Sequence, residues 1–148
     1  MHNPAPQPTD PRRRAASLSH DRRGSVLVEA AFALPLLIGL LFGILIYGSW
    51  FMTAHSIQQA ANDAARIALA GLDDTERRML VDQAVTRSLA GSTLVDAHLL
   101  HVATSMTGGY YSVRLTYDLQ ADPLFAASPV PLPTTSIQRE AIIRVEAR

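Results

Sequence analysis

Gly24, Ser25 and Glu29 are the residues of this chain whose types and spacing point to chemistry. The Gly24–Ser25 peptide bond directly follows Arg22-Arg23, and Glu29 stands four residues beyond Ser25. A protease must approach an extended backbone closely, and glycine obstructs it least. A cut at this bond would create an α-ammonium on Ser25 and make Glu29 the fifth residue of the shortened chain. Positions i and i+4 share one helix face. The new ammonium and the Glu29 carboxylate could therefore neutralise each other within one chain or between neighbours. At about 4 Å and an effective dielectric near 20, such a pair gains about 4 kcal/mol before desolvation. Desolvation consumes much of that gain. What remains is register, because an unpaired charge in an apolar setting disfavours every other alignment. Without a cut, Glu29 is a carboxylate snorkelling towards a nearby interface, and Gly24 merely ends a polar tail.

The apolar segment beyond Glu29 must position these residues. Ala30 to Ser49 is a run of twenty residues without charge. At a helical rise of about 1.5 Å it spans roughly the 30 Å thickness of a bilayer's hydrocarbon. Five arginines (Arg12, Arg13, Arg14, Arg22 and Arg23) precede the run, against Asp10 and Asp21. Tyr47, Trp50 and Phe51 lie at its far end, where aromatic rings favour the headgroup level. The positive-inside rule then places residues 1–24 in the cytoplasm and residues 51–148 outside it. A cleaved secretory signal fits poorly, because the run is long and Met52-Thr53-Ala54 is a weak cleavage site. An uncleaved single-span anchor with an outer binding domain remains the alternative. Within the run, Gly39 and Gly43 form a small-xxx-small face suited to close approach by another helix. Pro35 removes one backbone hydrogen bond and can kink the helix.

The expected organisation is a disordered basic leader over 1–24, a transmembrane helix over 25–51 and an outer domain over 52–148. Pro4, Pro6, Pro8 and Pro11 stand among polar residues in the leader, which has too little apolar surface to fold. Ala60, Ala61, Ala64, Ala65 and Ala68 repeat at three and four, a small-residue stripe that continues the helix until Gly71 stops it. Asp73 or Asp74 caps a second helix, with Glu76 placed as in a capping box. Leu80, Ala84, Val85 and Leu89 keep helical spacing. Thr93 to Ser105 reads as a strand, Gly108-Gly109 as a turn, and Tyr111 to Tyr117 as a half-buried strand. A proline-rich loop over 122–135 leads to a last strand around Ile137 to Val145. The fold class is α+β: a long N-terminal helix lying on a three-stranded antiparallel sheet, with one short helix.

Composition removes several alternatives. There is no cysteine, hence no disulfide, thiolate metal site or cysteine nucleophile. Beyond the apolar run, eight arginines face ten acidic residues, so no polybasic surface offers itself to nucleic acid. Catalytic signatures such as Gly-x-Ser-x-Gly and His-Glu-x-x-His do not occur, and no cofactor is expected. His98 and His101 would point to opposite faces of a strand, which argues against a shared metal. Asp73, Asp74 and Glu76 are better explained as a helix cap than as metal ligands.

Arg23-Gly24-Ser25-Val26-Leu27-Val28-Glu29-Ala30-Ala31-Phe32-Ala33-Leu34-Pro35 resembles the start of TadE-like pseudopilins, minor pilins of the tight-adherence (Flp) pilus system. Gln59 to Arg66 resembles the same family's Ala-rich stretch closing in Ala-Ala-Arg. The likeness is close over about residues 22–71; beyond that only the layout agrees. It implies cleavage after Gly24 by a prepilin peptidase and a role for Glu29 in processing or assembly. It also implies partners: other pilins and pseudopilins through the N-terminal helix, and an assembly platform in the bacterial inner membrane. The C-terminal domain would lie in the periplasm. One departure is Ala30, where the family often carries an aromatic residue after the glutamate.

Overall fold

The computed structural model describes residues 22–145, with side chains from Gly24 onwards; most of the expected leader over 1–24 lies outside the described residues. The chain divides into two compact units between Leu41 and Phe42. The first helix, α1 (Arg22–Ala68), runs through that division without interruption.

In the second unit the order is the end of α1, α2 (Asp74–Leu89), a short 3-10 turn (Ala97–Leu99), β1 (Leu100–Thr107), β2 (Tyr110–Asp118), α3 (Pro123–Ala126) and β3 (Ser136–Arg144). The three strands form one antiparallel sheet in the order β1-β2-β3. The α+β class expected from the sequence is the fold observed. Alternation along β2 buries Tyr111, Val113, Leu115 and Tyr117, and β3 adds Ile137 and Ala141. All five stripe alanines of α1 are buried in the same cluster, with Ile46, Ala54 and Ile57. Methyl side chains let a helix backbone come close to its neighbours, and Gln58 Nε2 reaches the Glu140 carbonyl on β3 at 3.5 Å. From α2, Val81, Ala84, Val85 and Leu89 complete the core.

Local chemistry sets the joints. Gly108 and Gly109 have φ of 60° and 80°, the left-handed pair that a two-residue type I′ hairpin demands. The turn therefore fixes Thr107 opposite Tyr110 and the register of the whole hairpin. α1 ends at Ala68, ahead of Gly71, and Gly71 has no positive φ. It is glycine for a different reason: a Cβ there would stand 2.9 Å from the Arg77 amide nitrogen. At the start of α2, Asp73 Oδ1 accepts from the Glu76 amide at 2.8 Å. Glu76 Oε2 accepts in turn from the Leu72 amide at 2.7 Å, one residue before the usual partner in a capping box.

Two expectations need correction. The segment Thr93–Ser105 is not one strand, since β1 starts only at Leu100. Asp96 turns the chain instead: its Oδ1 accepts from the His98 amide at 2.9 Å, and its own amide donates to the Tyr117 hydroxyl at 3.2 Å. The 122–135 loop contains a helical turn, α3, whose Asp122 cap and Pro123 at the first position suit a helix start.

Tyr117 joins these joints. Its hydroxyl donates to Asp122 Oδ2 at 2.6 Å while accepting from Asp96, so it ties the end of β2 to both irregular segments. Burial, reinforced by the hydrogen bond to Asp122, pushes the phenol up to about 12 from 10.0. Between those values only the unfolded chain gives up this proton, so the unfolded state is favoured as pH rises. The contribution is complete below pH 10 and is lost as pH climbs towards 12. Urea midpoints of the full chain in detergent should therefore fall over that interval. Tyr117→Phe should start less stable and lack this part of the fall.

Candidate functional site

The segment that holds Gly24, Ser25 and Glu29 is the exposed first stretch of α1. Its helical state is expected from composition: leucine, alanine and phenylalanine with few β-branched residues. Yet it buries almost nothing. Phe32 and Leu36 are each 78% exposed and Leu27 71%, and among the described residues the first buried side chain is Ile46. A helix that is apolar on every side and lies outside the core needs a non-aqueous neighbour. This is the one candidate membrane span among the described residues, with a mean hydropathy of 2.4 over its most apolar window.

Gly24 and Ser25 lie in the first turn of α1, and Glu29 one turn further on. All three are exposed. A Cβ on Gly24 would meet nothing within 4 Å, so no contact among the described residues requires glycine there. The Glu29 carboxylate makes no ion pair among the described residues. The same openness holds at Gly39 and Gly43, where an added Cβ also meets nothing within 4 Å. Pro35 sits inside the helix, which continues through it; the missing donor leaves the Ala31 carbonyl without its helical partner. Ser25 and Glu29 are brought within one turn of each other, as are Gly39 and Gly43. The cleavage pair and the glycine pair are not brought together.

Two features were not singled out from the sequence. Ala30 and Ala33 form the floor of a shallow apolar recess walled by Leu34, Leu36, Leu37 and Leu40. Small residues between leucine ridges at three-and-four spacing are its signal, and a ridge of another helix fits such a recess. The second concerns the aromatics expected at headgroup level. The Tyr47 hydroxyl donates to the Pro131 carbonyl at 3.0 Å, and the indole N–H of half-buried Trp50 is enclosed without a partner. These two rings serve the folded unit, whereas Phe51 is 67% exposed.

No group of three or more His, Asp or Glu side chains placed to hold a metal occurs among the described residues. His98 lies in the 3-10 turn and His101 on β1.

Residues 24–66 match the family model described as TadE-like protein. The matched stretch begins at Gly24 and ends two residues before the end of α1, leaving the sheet outside it. No curated protein and no solved structure matches the chain.

Proposed function

We infer, with the TadE-like match over residues 24–66 as the premise, that this chain is a minor pilin or pseudopilin of a tight-adherence pilus system. It is a structural subunit and not an enzyme. A prepilin peptidase cuts the Gly24–Ser25 bond on the cytoplasmic face of the inner membrane. The helix from Ser25 holds the subunit in the bilayer and then packs with other pilins or pseudopilins at the assembly platform. The folded unit projects into the periplasm.

The observation that carries this reading is the contrast between the two parts of α1. From Ile46 to Ala68 one side of the helix is built into a protein core, and its alanines fit there. From Gly24 to Leu41 it has apolar side chains, two glycines and a carboxylate, all exposed, and the carboxylate has no ion pair among the described residues. Apolar surface of this length is stable in lipid or against similar helices. Removal of the leader would give the carboxylate a new counter-charge, the Ser25 ammonium.

The scissile bond lies within a helix, so the peptidase must first unwind a turn. That is inexpensive at this position, because the first amides of a helix have no intrahelical acceptor. Gly24 lowers the cost further, being about 1 kcal/mol poorer than alanine in a helix. Coexpression with a prepilin peptidase tests the reading: the full-length chain should convert to a product shorter by residues 1–24. Equal lengths with and without an active peptidase would overturn it.

A further inference from the structure

We propose that the outer unit pairs with a second copy of itself through the free edge of β1, in a two-fold arrangement centred on Ala103. β1 is an edge strand of eight residues, Leu-His-Val-Ala-Thr-Ser-Met-Thr, without proline, lysine, arginine or acid. It has no bulge, since its register with β2 is unbroken from Leu100 to Thr107. Exposed edges are normally guarded by such charges, prolines or bulges, because a row of unpaired amides invites another strand. The opposite edge, β3, carries Arg139, Glu140 and Arg144. Of the two edges among the described residues, β1 is the one left open.

The hairpin turn decides which amides are free. A two-residue turn makes Thr107 and Tyr110 the closing hydrogen-bonded pair, so His101, Ala103 and Ser105 also bond towards β2. The amides of Val102, Thr104 and Met106 then point outwards, while the Leu100 amide is taken by the Ala97 carbonyl. Val102 and Met106 are 36% and 44% exposed, on the sheet face where β2 is buried.

Charge identifies the occupant. Arg78 and Asp82 line a surface recess with Val102, Ala103 and Thr104, beside the middle of β1. They are four residues apart on α2, and neither forms an ion pair among the described residues. A two-fold axis through Ala103 reverses the strand and exchanges the two ends of this recess. Arg78 of each copy then faces Asp82 of the other, so the surface is complementary to itself. In that register Val102 opposes Thr104 of the second copy, and Leu100 opposes Met106. The inference concerns the outer unit and does not depend on cleavage of the leader.

The absence of cysteine makes the test clean. Ala103 would face its own copy in a non-hydrogen-bonded pair, with Cα atoms about 4.5 Å apart, within the range a disulfide accepts. Ala103→Cys in the full chain, oxidised in native membranes, should give a disulfide dimer of two identical chains. His101→Cys and Ser105→Cys should give little separately and a mixed dimer when coexpressed. Ile142→Cys, exposed on β3, reports random collision. Arg78→Asp should lower the Ala103→Cys dimer roughly threefold, and adding Asp82→Arg should restore it. No dimer at Ala103→Cys, a yield no higher than at Ile142→Cys, or cross-linking only to a different protein would each overturn the proposal.

Discussion

Gly24→Val should leave the chain at full length in cells where the unaltered protein is cut. Among the described residues nothing lies within 4 Å of a Cβ added at this position, and Gly24 has no positive φ. The outer unit and the membrane-length helix should therefore form as before. What valine changes is the bond's availability. Its branched side chain obstructs close approach to an extended backbone. It is also the better helix former of the two, so the first turn resists unwinding. Processing should fall by more than about tenfold, equivalent to about 1.4 kcal/mol in barrier. Gly24→Ala separates the two effects, since alanine adds one methyl yet favours the helix most. Its rate should lie between those of glycine and valine. Quantitative gel separation of the two lengths, with total protein unchanged, is the measurement. Normal processing of the valine variant would remove the cleavage assignment.

Glu29→Leu should have the opposite signature, with processing retained and assembly lost. Leucine suits an apolar helix better than a carboxylate does, so membrane retention should not weaken. The loss falls on pairing with the Ser25 ammonium. A pair at about 4 Å gains about 4 kcal/mol at an effective dielectric near 20, before a desolvation cost of similar kind. Even a surviving contribution of about 1.4 kcal/mol is tenfold per contact. The amount of subunit recovered with sheared surface filaments should therefore drop by about tenfold or more. Glu29→Gln removes the charge while keeping the shape, and should fail as the leucine variant does. Glu29→Asp should retain part of the function. Filament incorporation equal to that of the unaltered chain in Glu29→Leu would show that the carboxylate is only a snorkelled passenger.

Much of this molecule is legible in its sequence because each element obeys a short-range rule. The uncharged run reads as a helix too apolar for water, and the alanines at 60, 61, 64, 65 and 68 all prove buried. Alternation from Tyr111 to Tyr117 reproduces the burial of β2, and Asp73 with Glu76 starts α2. What escaped depends on partners distant in sequence. The late start of β1 reflects Asp96 meeting Tyr117, twenty-one residues away. The need for Gly71 comes from the close packing of Arg77, not from the helix end itself. The bond from the Tyr47 hydroxyl to the Pro131 carbonyl spans 84 residues and has no local sequence signal. The first stretch of α1 is a different case. Gly24, Glu29, Gly39 and Gly43 are visible in the sequence, and an added Cβ at any of these three glycines meets nothing within 4 Å among the described residues; on the proposed reading their partners are other chains.

The central claim is that the leader is removed between Gly24 and Ser25 before the helix performs its task. The N-terminal residue of the protein recovered from native membranes, read by mass spectrometry of its terminal peptide, tests that claim most directly. The expected terminus is Ser25, with Glu29 as the fifth residue. A terminus at Met1 in the working protein, or a start beyond the apolar run near His55, would contradict it.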